Sequence, residues 1–66
     1  MARIHVKMST GDEFTISEAF YGSQGPMDAK SARVQGSFLL TKMASVGTDQ
    51  GPVINIPQIS HYWIED

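Results

Sequence analysis

What most constrains this chain is a missing residue type: in 66 residues there is no cysteine. Disulfides and thiolate metal sites are excluded together, and two histidines, His5 and His61, are too few for a conventional structural zinc site. A chain this short buries only about 60% of its extended-chain surface, and a core of that size seldom supplies more than ~3–5 kcal/mol. Small proteins usually add a disulfide, a metal or a partner subunit, so the expectation is one domain over residues 1–66 that associates with further copies of itself. A large substrate cleft is not expected at this length.

Apolar residues make up 41% of the chain and charged residues 18%, which places it among folded domains and not among solvating disordered ones. The net charge is −2, with Arg3, Lys7, Lys30, Arg33 and Lys42 as the only cations. Such a field does not favour a phosphate backbone, so nucleic acid is not the partner expected from charge alone. No charged opening segment runs into an apolar one, and no apolar stretch approaches the ~20 residues that span a bilayer. The expectation is a cytoplasmic protein without a membrane role.

Ile4, Val6 and Met8 alternate with Arg3, His5 and Lys7, the period of a half-buried strand. Ser9-Thr10-Gly11-Asp12 is turn chemistry, and alternation resumes at Phe14 and Ile16. Residues 3–8 and 13–17 therefore predict a hairpin. Phe20 and Tyr21 close this part, before a loop at Gly22-Ser23-Gln24-Gly25. Pro26 can open one or two helical turns over 26–32.

Arg33 to Met43 reads as the longest strand, with Val34, Phe38 and Leu40 on one face and Gly36 marking a bend. Leu39 and Met43 fall on its other face, which a neighbouring subunit would cover; Phe38, Leu39 and Tyr62 are the predicted interface. Ala44 to Pro52 is a loop, Val53 to Ile56 a short strand, Pro57-Gln58 a tight turn and Ile59 to Ile64 the last strand. On that strand Tyr62 and Ile64 share a side opposite Trp63.

The fold class is thus mainly β: a small curled antiparallel sheet or a five-stranded barrel, with a short helix at about 26–32. This strand spacing, with Ile54-Asn55-Ile56-Pro57-Gln58-Ile59 joining the last two strands, resembles the small SH3-like and Sm-like barrels. The chain also resembles small phage-encoded or prophage-encoded proteins in being short, cysteine-free and untargeted.

The least ordinary feature is a repeated tripeptide, Gln24-Gly25-Pro26 and Gln50-Gly51-Pro52, each preceded by a glycine and a hydroxyl residue, Gly22-Ser23 and Gly47-Thr48. Glycine allows close backbone approach, and free amides ahead of a helix or strand hold anions. Lys30, Ser31 and Arg33 lie just downstream of the first loop. The functional reading is a phosphate-bearing small ligand held by Gly22, Ser23, Gln24, Gly25, Lys30, Ser31, Arg33, Gly47, Thr48, Gln50 and Gly51; the alternative is that Gly-Pro only punctuates two loops. Lys30-Ser31 after a glycine is superficially similar to a nucleotide phosphate loop, but Ala29 stands where that motif requires glycine.

No serine sits in a nucleophile elbow, and the seven carboxylates are scattered through turns and ends, so no catalytic residue is predicted and no cofactor is called for. His5 falls among the polar residues of its strand and reads as a surface histidine, though the first and last strands would bring it near His61 if they pair. Trp63 reads as core packing, with Tyr21 or Tyr62 the better surface aromatics. The leading expectation is a non-catalytic homo-oligomeric binder of a small anionic, nucleotide-like ligand, as in a phage counter-defence sponge. The alternatives are an inhibitor or adaptor docking on a host protein, and a small barrel that binds single-stranded nucleic acid.

Overall fold

The computed structural model describes residues 2–24 and 28–66, with the backbone alone at Ser23 and Gln24. Gly25 and Pro26, which carry most of the first tripeptide repeat, lie outside the described residues.

The opening alternation forms the predicted hairpin. Strand β1 (Arg3–Met8) pairs antiparallel with β2 (Glu13–Thr15), His5 opposite Thr15 and Val6 opposite Phe14. The turn is fastened by Met8 N donating to Asp12 O at 2.7 Å and Gly11 N donating to Met8 O at 2.9 Å. Ile4, Val6 and Met8 are buried while Arg3, His5 and Lys7 are only half-buried, as a period of two on a one-sided sheet demands. A 3-10 turn, Glu18–Gln24, follows and turns Tyr21 inward.

Residues 33–43 are helical, which overturns the long strand. Helix α1 (Ala29–Lys42) is also far longer than the one or two turns expected over 26–32. Two physical reasons account for this. Asp28 caps the helix, its carboxylate accepting from Ser31 N at 2.8 Å, and Ala, Lys, Arg, Gln and Leu dominate the segment. In the helical frame Ala32, Gly36 and Leu39 share a buried face, a spacing that the strand-like alternation of Val34, Phe38 and Leu40 concealed.

Gly36 is no strand bend. A Cβ there would stand 2.9 Å from Tyr62 Cε2, so its missing side chain lets the helix rest directly on the tyrosine ring. Leu39 is 0% exposed inside its own chain's core. The apolar strand face that called for a second subunit does not exist, and Leu39 is removed from the predicted interface.

The segment read as one loop, residues 44–52, holds a further short strand. Strand β3 (Ser45–Gly47) pairs antiparallel with β4 (Val53–Asn55), and a 3-10 turn, Ile56–Gln58, leads into β5 (Ile59–Glu65). β5 returns antiparallel along β1, giving a three-stranded sheet of order β2-β1-β5, with one register shift between Lys7 and Met8. An isolated bridge, Ile16 to Thr48, joins this sheet to the β3-β4 pair.

The result is a mainly β domain with a small antiparallel sheet and one helix; the described strands do not close into a barrel. The buried side chains form one cluster, to which β1, α1, β3 and β4 all contribute. Among the described residues no helix is long and apolar enough to cross a membrane.

Candidate functional site

β1 is central, so its outward residues are flanked on both sides. His5 lies between Thr15 of β2 and Trp63 of β5, and Lys7 between Glu13 and His61. Because Tyr62 and Ile64 pair with Val6 and Ile4 toward the core, the same alternation turns Trp63 outward. Its ring stacks beside that of His5, centroids 5.6 Å apart and planes 16° from parallel, with His61 at 5.9 Å on a tilted plane. Trp63 is therefore a half-buried residue of the outer sheet face and not a core aromatic.

Thr15 organises the other side. Its hydroxyl shares a hydrogen bond with His5 Nδ1 at 3.0 Å. Its amide donates to Gln50 Oε1 at 3.1 Å, and its carbonyl accepts from Asp49 N at 2.9 Å. The loop from Thr48 to Pro52 thus closes the edge of β2. That loop is held by Thr48 Oγ1 donating to Pro52 O at 2.6 Å and by Gly51, whose φ of 113° lies in a region that a side chain would strain. Between the loop and Trp63 runs a groove of about 240 Å³ lined by His5, Glu13, Phe14, Thr15, Gln50 and Trp63.

Arg3 anchors one end of this face. Its guanidinium bonds the Glu18 carboxylate and stands 3.8 Å from Asp49 Oδ2, tying the 3-10 turn and the second loop to β1. Among the described residues the buried Nη1 has no hydrogen-bond partner, so Asp49 meets it only as an ion at that distance.

Hydroxyl, imidazole and carboxylate stand in the order Thr15, His5, Glu65, which invites comparison with a nucleophilic triad. One distance and one hydrogen bond argue against that chemistry. Glu65 Oε1 is 4.0 Å from His5 Nε2, beyond hydrogen-bond reach, and the Thr15 amide that would steady an oxyanion is already given to Gln50. Among the described residues no three His, Asp or Glu side chains converge to hold a metal ion.

Of the predicted loop residues, Gln50 lines the groove. Gly51 shapes its loop, and Thr48 is buried in the bridge to Ile16 with its hydroxyl satisfied, so both are structural. Gly47 lies in β3, where its carbonyl accepts from Ser17 N. Gly22, Ser23 and Gln24 fall in the first 3-10 turn, and Gly25 is outside the described residues. Lys30, Ser31 and Arg33 are exposed on α1.

The start of α1 is already occupied by its own anion. Backbone and side-chain hydrogen bonds from Ser31 hold the Asp28 carboxyl below the usual carboxylate range. A second negative charge there would meet this carboxylate.

Tyr21 and Tyr62 are not the surface aromatics. Tyr21 is buried, its hydroxyl accepting from Ile4 N at 2.9 Å, and Tyr62 is half-buried under Gly36. Sequence reasoning missed His5, Glu13, Phe14, Thr15 and Trp63 as one site. The available signal was the outward parity shared by His5 and Trp63. Comparison of the chain with protein-family models, with curated proteins and with solved structures gives no match.

Proposed function

We propose that this chain is a non-catalytic binding domain whose sheet groove captures a nucleobase-like ligand: a small planar heteroaromatic ring with hydrogen-bonding edges. The observation that carries this reading is Trp63, standing beside His5 on one wall of a groove completed by Glu13, Thr15 and Gln50. Base stacking on an aromatic side chain contributes about 1–3 kcal/mol.

Gln50 Oε1 is engaged by Thr15, which leaves the Gln50 amide NH₂ to donate, while the Glu13 carboxylate accepts. A donor and an acceptor on the lining of one small groove suit the edge of a base. At about 240 Å³ the groove falls below the ~300–1,000 Å³ of drug-sized sites, which favours a single ring system over a larger molecule. Among the described residues no Lys or Arg lines it, so recognition rests on the ring, and the phosphates of a nucleotide would lie outside.

Trp63 is the only tryptophan, so its fluorescence reports the groove directly. Titration with the free bases, nucleosides and nucleotides should give saturable quenching for at least one base, matched by calorimetry. Trp63→Leu should weaken that binding about tenfold or more, and Glu13→Gln and Gln50→Ala should reorder the preference among bases. No saturation by any base or nucleoside at about 1 mM, or binding indifferent to Trp63→Leu, overturns the proposal.

A further inference from the structure

α1 carries three of the five cations of the chain, Lys30, Arg33 and Lys42, and none of its seven carboxylates. The remainder therefore holds two cations against seven carboxylates, a strong segregation for so small a domain. The solvent side of the helix is not simply polar either. Val34 is 68% exposed and Phe38 54%, both among the few large apolar side chains left in water. Lys30, Val34, Phe38 and Lys42 follow one another at intervals of four, so they form a single ridge along the helix, about 18 Å from end to end at 1.5 Å per residue. Arg33 stands beside it, and the Thr41 hydroxyl is turned back onto Ser37 O at 2.7 Å, its polar demand met within the helix.

We propose that this ridge is a docking surface for an acidic protein partner, whose apolar side chains seat on Val34 and Phe38 while its carboxylates meet Lys30, Arg33 and Lys42. Charge decides among occupants. Two copies of α1 packed antiparallel would set lysine against lysine at both ends, so symmetric self-pairing through this face is opposed. A nucleic-acid strand would have to lay its phosphates along a line whose middle is apolar, with few cations to neutralise them. Two apolar side chains are too little to hold a helix in a membrane interface. An apolar centre rimmed by cations matches an apolar centre rimmed by carboxylates, the usual arrangement of a desolvated anchor inside a polar rim. This surface lies on α1, whereas the groove lies on the outer face of the sheet, and neither proposal depends on the other.

The test is amide chemical-shift mapping on the ¹⁵N-labelled full chain. The probe is a synthetic amphipathic helical peptide carrying a leucine pair flanked by glutamates. Controls are its glutamine-substituted twin, its lysine-substituted twin, oligothymidylate and phosphatidylserine vesicles, beside a dilution series of the chain alone. The expected result is perturbation confined to Lys30, Arg33, Val34, Ser37, Phe38, Thr41 and Lys42 by the glutamate peptide. Val34→Ser and Phe38→Ser should each weaken it about tenfold, with circular dichroism unchanged because both side chains are exposed. The doubly reversed variant, Lys30→Glu with Lys42→Glu, should lose the glutamate peptide and take up the lysine twin. The proposal is overturned if the glutamine twin binds equally well, if the glutamate peptide leaves α1 unperturbed at about 1 mM, or if oligonucleotide, vesicles or a second copy of the chain occupies the ridge instead.

Discussion

β1 and α1 flank the same core but place their apolar residues by opposite habits. β1 buries every apolar side chain it has, and His5, one of the residues between them, lines a polar groove. α1 turns alanine, glycine and leucine inward and leaves a valine and a phenylalanine in water. The contrast shows that apolarity in the strand reports the fold, whereas apolarity in the helix is divided between the fold and a free surface. Inward size is limited on α1 because the Tyr62 ring lies directly against it.

The sharpest way to break this comparison is to truncate one inward residue from each element. Ile4→Ala and Leu39→Ala should each cost about 2–5 kcal/mol in urea denaturation, since both side chains are fully enclosed. A neutral Leu39→Ala would mean that α1 is peripheral and that the comparison fails.

Tyr21→Phe comes next, at about 1–3 kcal/mol, because it leaves the buried amide of Ile4 without its acceptor. Burial pushes the Tyr21 phenol up, outweighing the Ile4 hydrogen bond and the Arg3 charge that lower it. The folded state therefore favours the neutral ring, and this contribution is complete below the ordinary tyrosine value of about 10 and lost as pH rises through the higher folded value. Alkaline melts should show that loss in the native sequence and a weaker one in Tyr21→Phe.

A smaller effect is expected at the helix start. The lowered Asp28 carboxyl contributes stability above the usual carboxylate range, which disappears as pH falls through its folded value. Asp28→Ala should destabilise α1 near neutrality and flatten that acid limb, read by circular dichroism. The smallest change of all should come from Val34→Ser and Phe38→Ser, within about 0.5 kcal/mol of the native sequence, as befits exposed positions. A large loss at either would place that residue in the fold and erase the distinction between the two elements.

The hairpin was legible because its signal is local: a one-faced strand must alternate, and Arg3 to Met8 does. The helix was hidden by the accidental alternation of Val34, Phe38 and Leu40 and by Gly36, which costs about 1 kcal/mol in a helix relative to alanine. The Asp28 cap was nonetheless in plain view three residues before Ser31. β3 could not be read from Ser45-Val46-Gly47, since those residues become a strand through pairing with Val53–Asn55. The groove was half legible. The tripeptide repeat pointed to Gln50 and parity turned Trp63 outward, but their meeting around His5 depends on the pairing of the first strand with the last, which no local pattern encodes.

The contact between Gly36 and the phenol ring of Tyr62 binds two distant positions into one steric choice. The ring's thickness sets the height at which the helix rides over the sheet, so mass added at 36 has to be matched by mass removed at 62. The helix, with whatever it carries on its outer side, is accordingly not a portable module: in any relative of this chain it should be inherited together with the last strand, and the two sites should drift as a pair.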